Sequence, residues 1–234
     1  MTTTRAQVHV VAADRPLRQV NREIRAALAE GADVVVREPM SRHNLGVALT
    51  GGGRVRFDGS VGYYCAGLSE GPDVQVDGNA GWGLAEALAS GRVTVHGNAG
   101  MSAGASMRGG IVHVRGNAGP RAGISLKGGD LVVEGDVGYS TGFMAHAGRI
   151  IVCGDALGSV GDSLWLGSVW VAGRVQSLGI DARIVEPPAA ELSAVEATLA
   201  ELGVPVADRD WKKIVSAERL WYFEARDAKK WLMI

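Results

Sequence analysis

Glycine stands at Gly59, Gly78, Gly97, Gly116, Gly135, Gly154 and Gly173, a step of 19 residues kept through seven repeats. Further combs fall at positions 62, 81, 100, 119 and 138, at 104, 123, 142 and 161, and at 91, 110, 129, 148 and 167. Just before each glycine of the first comb lies an apolar alternation: Val55/Phe57, Val74/Val76, Val93/Val95, Val112/Val114, Leu131/Val133, Ile150/Val152 and Val169/Val171. A period of two in largely β-branched residues reads as a short strand with one buried face. A 19-residue unit with one strand and several glycine turns cannot enclose a core of its own, so successive units must stack their apolar faces. The resulting fold class is mainly β, a parallel, right-handed β-helix of about seven 19-residue coils with flanking amphipathic helices. Seven coils at a strand spacing of about 4.8 Å make a rod on the order of 30 Å long. The glycine columns predict corners that need positive φ or close backbone approach.

Asn79, Asn98 and Asn117 share one column of this frame, followed by Asp136 and Asp155. Stacked side chains of this kind can hydrogen-bond up and down a corner, and a structural ladder is expected there rather than an ion site. The same frame disposes of the G-x-S-x-G match at Gly100-Met101-Ser102-Ala103-Gly104. That stretch recurs as Gly119-Pro120-Arg121-Ala122-Gly123 and Gly138-Tyr139-Ser140-Thr141-Gly142, so its glycines belong to the combs and the central residue is interchangeable. A hydrolase nucleophile also needs a strand-to-helix turn and a base in reach, which a β-helix corner does not provide.

Other chemical signals are sparse. The 234 residues carry 24 basic and 25 acidic side chains, a net charge of -1, so neither nucleic acid nor an anionic membrane is an expected partner. No stretch approaches the ~20 apolar residues of a membrane span, and the N-terminus has no long apolar leader, so a cytoplasmic protein is expected. The two cysteines, Cys65 and Cys153, fit a reducing compartment and do not share a column, which marks them as packing residues. His96 and His113 lie on neighbouring coils at outward positions, where solvated side chains are expected, since two histidines without a third ligand rarely bind metal. No dinucleotide or P-loop fingerprint occurs. No catalytic, cofactor-binding or metal residue is therefore assigned on this chain.

The chain divides into residues 1–50, a helix and lead-in strand; 51–182, the repeat; and 183–234, a helix and aromatic tail. In the first part Asp14 is the expected N-cap and Pro16 lies in the first turn, with Leu17, Val20, Ile24 and Leu28 on one face and Val34-Val35-Val36 as the strand entering the first coil. After Pro187-Pro188 a second helix is expected from Ala190 to Leu202, with Leu192, Val195, Leu199 and Leu202 on one side. The tail then brings Trp211, Trp221, Tyr222, Phe223 and Trp231. Helices are expected to cover both ends of the rod, because open edge strands aggregate. Two outward columns, Arg56-Gln75-Thr94-His113-Val132-Ile151-Trp170 and Asp58-Asp77-His96-Arg115-Glu134-Cys153-Ala172, begin polar and end apolar. Val132, Ile151, Cys153 and Trp170 thus form a candidate interface, with Trp221 and Phe223 of the tail as further members. It should be covered by the helix near 190–202, by the tail or by a partner subunit, while Arg56, Asp58, Gln75 and Asp77 stay solvated.

The repeated Gly-Asn/Asp-x-Gly, the stretches GSVGYYCAG (59–67), GISLKGG (123–129) and GDALGSVGDSLW (154–165), and the tail SAERLWYF (216–223) resemble the GXGXG domain of glutamate synthases. More closely, they resemble the separate GXGXG subunit of three-subunit N-methylglutamate synthase, over nearly the whole chain. The rod alone also resembles the β-helix subunit of formylmethanofuran dehydrogenase and that of the related formyltransferase/hydrolase complex. The resemblance implies a non-catalytic β-helix subunit holding together two partners: a class II glutamine amidotransferase-like subunit that releases ammonia, and an FMN-binding glutamate-synthase-like subunit, often with an iron-sulfur cluster. FMN and the cluster would sit on the partner, and methylamine, glutamate and ammonia would be handled on other chains. A homo-oligomer is compatible with this reading. A stand-alone β-helix acting on polysaccharide is a third reading of a different class, but such rods usually need longer coils and clustered acidic or basic residues on an exposed groove, and the coils here are short and uniform. Residue 2 is Thr2 rather than a cysteine nucleophile, and no cysteine cluster could ligate iron and sulfur.

Overall fold

A computed structural model describes residues 5–206 and 209–217. Its elements in order are β1 (Gln7–Val11), α1 (Leu17–Ala29), β2 (Asp33–Arg37), β3 (Arg54–Asp58), β4 (Glu70–Val76), β5 (Ser90–Val95), β6 (Ile111–Val114), β7 (Lys127–Val133), β8 (Ala147–Val152), β9 (Ser168–Val171), β10 (Ala182–Val185), α2 (Ala189–Glu201) and β11 (Lys212–Ser216). The strands form one sheet in the order β1-β2-β3-β4-β5-β6-β7-β8-β9-β11-β10. From β1 to β9 every pairing is parallel and joins neighbours in sequence, which makes the chain a β-solenoid whose coils β3 to β9 are the seven repeats.

Register follows the repeat. Val93 pairs with Val112, Val112 with Leu131 and Leu131 with Ile150, each step one repeat along the chain. All fourteen residues of the apolar alternation, from Val55 and Phe57 to Val169 and Val171, are fully buried. A second wall of the core is a column of single parallel bridges, Val61-Ala80-Ala99-Ala118-Val137-Ala156-Val175, which the strand pattern did not reveal because one small residue per coil carries no period of two. A third wall comes from the turns, where Leu84, Leu88, Met107, Leu126 and Leu164 point inward.

Those turns explain part of the glycine code. Each coil places three alternate residues at positive φ, as at Ser102 (61°), Gly104 (66°) and Ser106 (53°), and the next coils repeat this at Arg121, Gly123 and Ser125 and at Ser140, Gly142 and Met144. Ordinary residues thus occupy a conformation that costs each of them roughly 1 kcal/mol or more. Hydrogen bonds between coils offset that cost: Ser102 N–H donates to Pro120 O (2.9 Å), Gly104 N–H to Leu84 O (2.9 Å) and Ser106 N–H to Ile124 O (2.8 Å). Glycine is retained at the middle position where a side chain would enter the core, since a Cβ on Gly123 would overlap the Ile150 side chain.

The first comb has a different reason. Only Gly59 of its seven members has positive φ, at 136°. At Gly116 a Cβ would overlap Asn98 Oδ1 and lie 2.9 Å from Gly97 O, and Gly97, Gly135, Gly154 and Gly173 are crowded in the same way by the coil before. The crowding comes from the ladder. Asn98 N–H donates to Asn79 Oδ1 (2.8 Å), Asn117 N–H to Asn98 Oδ1 (2.8 Å), Asp136 N–H to Asn117 Oδ1 (2.8 Å), Asp155 N–H to Asp136 Oδ1 (2.7 Å) and Arg174 N–H to Asp155 Oδ1 (2.8 Å). The ladder therefore runs from side chain to backbone rather than amide to amide. It needs only an acceptor, which is why Asp136 and Asp155 can continue a column begun by three Asn residues and why Ser60 Oγ serves at its start.

The two ends are closed by different means. Helix α1 seals the first, burying Val20, Ile24 and Leu28 against the core. Its Asn21 donates to Asn44 O (2.7 Å) and accepts from Gly46 N–H (2.9 Å), and Arg25 donates to Val47 O (3.1 Å), so side chains satisfy the backbone of the first turn. Asp14 is not its cap: it sits at φ 53°, and the helix begins after Pro16 without a side-chain cap. At the other end the expected helix is replaced by antiparallel β11, which pairs with β9 and with β10 and buries Ile214. A strand can pair the open ladder of β9, and a helix cannot. Strand β1, added ahead of β2, is also absent from the sequence reading, as five residues give little periodic signal.

Val114→Asp is expected to destabilise the fold by about 4 kcal/mol, since it buries an unpaired charge. Gly116→Val is expected to cost about 2 kcal/mol or more through steric overlap rather than φ, and Ser102→Gly is expected to be nearly neutral. Denaturant midpoints of the three variants check this ordering.

Candidate interaction surfaces

The outward face of the sheet is the first surface the sequence singled out. Val132, Ile151 and Trp170 point away from the main core, yet all three are fully buried, in a second cluster with Val195, Leu199, Val204 and Trp211. Helix α2 lies on this face. Glu191 near its start pairs with Lys213 of β11 (2.6 Å), Thr198 receives a hydrogen bond from Arg149 (2.9 Å), and Glu201 at its end pairs with Arg92 of β5. A 13-residue helix is about 20 Å long, which matches four coil steps, so α2 runs along the stacking direction over the apolar half of the face. Of the covers anticipated for this patch, the chain's own helix is the one found, with Cys153 half-buried at its margin. Lys213 Nζ stands 5.6 Å from the Trp170 ring centre, a cation–π contact at the same seam. Trp221 and Phe223 lie outside the described residues.

Beyond the helix the face is polar. Arg56 and Asp58 are exposed, Gln75 and Asp77 half-buried, and Arg56 Nη2 pairs with Asp77 at 2.6 Å. The expectation of solvated histidines holds for His96 and fails for His113, which is 2% exposed. His113 sits at the junction of the polar and helix-covered halves, and its Nε2 contacts Glu134 Oε1 at 2.8 Å. Burial is the main cause that lowers the pKa of this histidine; Glu134 acts against it, and Arg115 and Arg92 act with it. Outward in the strand pattern and buried in the fold are compatible because α2 and its ion pairs arrive from far along the chain.

A second surface runs along the corner of the positive-φ turns. His43 stacks on Tyr63 with ring centres 4.2 Å apart, and Tyr63 stacks on Trp82 at 5.0 Å. The column continues through Met101, Pro120 and Tyr139, because the 19-residue frame returns the same position to the same corner. Tyr63, Tyr64, Leu68 and Trp82 are exposed, as are Val11 and Met40 toward the first end. The remaining exposed large apolar residues are Tyr139, Met144, Leu157, Trp165, Leu166, Ile180 and Ile184, all in the late coils or the final strands. Among the described residues none of this class falls between Trp82 and Tyr139. Exposed large apolar side chains thus fall into two groups along the chain, one in the early coils and one in the late coils and final strands. The sequence reading missed both, since it followed the outward positions of the strands and not the corner position that carries Tyr63, Trp82 and Tyr139.

Ser102 borders a shallow groove with Tyr64, Trp82, Glu86, Met101, Ser106 and Ile124, and no histidine lines it. Its positive φ belongs to the column and not to a nucleophile turn. Burial pushes the Cys65 thiol far above its ordinary pKa, and burial also raises that of Cys153, against an opposing effect of Arg209. Cys65 packs within the main core, and Cys153 packs, partly buried, against the second cluster. Among the described residues no group of three or more His, Cys, Asp or Glu is placed to hold a metal ion, and no helix is long and apolar enough to cross a membrane.

His113 yields a pH test. Its folded pKa lies below the unfolded value, so its contribution to stability is complete above about pH 6.5 and is lost as pH falls through the folded value. Wild-type protein is expected to lose melting temperature between pH 7 and 5 more steeply than His113→Gln, which keeps a donor to Glu134 and cannot titrate. Parallel slopes for the two proteins would show that the buried ring does not titrate with unfolding.

No family profile, no curated protein and no solved structure matches this chain, so the geometry of these surfaces is what bears on its function.

Proposed function

We propose that this chain is a non-catalytic scaffold subunit of a cytoplasmic glutamate-synthase-like complex, with N-methylglutamate synthase as the nearest case. It holds a class II glutamine amidotransferase-like subunit to an FMN-binding synthase subunit, and flavin and any iron-sulfur cluster belong to the latter. Two things support the reading. The stretches that resemble GXGXG domains, GSVGYYCAG and GDALGSVGDSLW, lie in the coils that bear the exposed residues Tyr63, Tyr64 and Trp165. The observation that carries it is the split of exposed apolar side chains into an early and a late group, with three coil steps between Trp82 and Tyr139 that expose none. Apolar surface of this kind marks interfaces. Two such groups on a rigid rod suit a subunit that sets the distance between two partners.

Affinity purification of the tagged chain from its native host, followed by mass spectrometry, is expected to recover both partners in stoichiometric amounts. Trp82→Glu should lose one of them and Trp165→Glu the other, with melting temperatures unchanged. Recovery of formyl-transferring subunits would replace this reading with the alternative one. The isolated chain is expected to fold, to bind no flavin and to turn over neither glutamine nor 2-oxoglutarate with ammonia. Substantial hydrolysis abolished by Ser102→Ala would overturn the scaffold role.

A further inference from the structure

We infer that residues 218–234 dock on the C-terminal end of their own rod, covering Ile180, Ile184 and Leu157. A solenoid needs both ends covered, because an open last coil exposes apolar side chains and unpaired strand edges. The first end is sealed by α1. At the other end β11 pairs with β9 and β10 pairs with β11, but the outer edge of β10 has no strand partner among the described residues. Apolar side chains surround that edge: Ile180 is 74% exposed, Leu157 50% and Ile184 47%. Leu157 and Ile184 line one groove with Val175 and Lys212, and Asp155 and Arg174 form its charged rim.

The chain leaves the described structure at this place. Ala217 N–H donates to Asp181 O at 2.6 Å, one residue from Ile180, and Ser216 is paired with Ala182 at the start of β10. The 17 residues after Ala217 carry Leu220, Trp221, Tyr222 and Phe223 near their start and Trp231, Leu232, Met233 and Ile234 at their end. Three to six extended residues reach about 10–20 Å, enough to lay the first aromatic group along β10, which is about 13 Å long. The segment is tethered beside its site, so its effective concentration there is on the order of millimolar, far above that of any second molecule at ordinary protein concentration. Trp165 and Leu166, on the side of the rod, are left to a partner subunit.

Hydrogen exchange compares the full chain with a chain ending at Ala217. Truncation is expected to raise exchange in residues 180–185 by about tenfold or more and to lower the melting temperature by about 4 °C. A synthetic peptide of residues 218–234 should restore the protection. In the full chain, Trp221→Ala with Phe223→Ala should reproduce the loss and Lys229→Ala with Lys230→Ala should not. Should the truncated chain fail to fold, Ile184→Asp in the full chain supplies the reciprocal test by accelerating exchange across residues 218–234. Unchanged exchange at residues 180–185 in the aromatic variant, or unchanged exchange of the tail in Ile184→Asp, overturns the inference. So does a full-length dimer that truncation converts to a monomer, which would place the tail on a second copy.

Discussion

The close approach of one coil to the next at the Asn/Asp corner is the constraint on which the rest of this fold depends. A side-chain oxygen of each coil accepts the backbone N–H of the following one, from Ser60 through Asp155, and the glycine before each rung leaves no Cβ to hold the coils apart. Once that spacing is set, the strands fall into parallel register and their inward residues meet in a continuous column. The positive-φ turns can then form, because the hydrogen bonds that offset their conformational cost come from the neighbouring coils. None of these parts is stable in a single repeat. The rod is a cooperative object built from contacts between neighbours.

A regular stack has a uniform interior, and what differs from coil to coil is its outside. The column from Arg56 to Trp170 passes from ion pairs with solvent to an apolar strip under α2, with His113 and Glu134 at the boundary. The helix is held at both limits of the strip by ion pairs, Glu191 with Lys213 and Glu201 with Arg92. Partly exposed pairs of this sort contribute little energy, and the buried contacts of Val195 and Leu199 are what hold α2 down. The same rod leaves apolar side chains exposed in its early and its late coils among the described residues, the surface on which the proposed scaffold role rests.

The 19-residue period and the alternation before each glycine determined the solenoid, its register and the fourteen inward residues, because a repeat that must stack on its own copies has one way to bury a strand face. The Asn column was also legible as a ladder, although its partner proved to be the backbone. Position in the frame showed that Ser102 is a turn residue. Other features arose only from contacts between segments far apart in sequence. The closing of β9 by a strand rather than a helix, the burial of His113 and the choice of α2 as the cover of Trp170 all depend on residues 182–216 returning to coils made long before. The stacking of His43, Tyr63 and Trp82 and the separation of exposed apolar residues into two groups depend on which side of a coil remains uncovered. Periodicity specifies the direction of a side chain relative to its own strand, and only the tertiary structure decides whether another part of the chain lies beyond it.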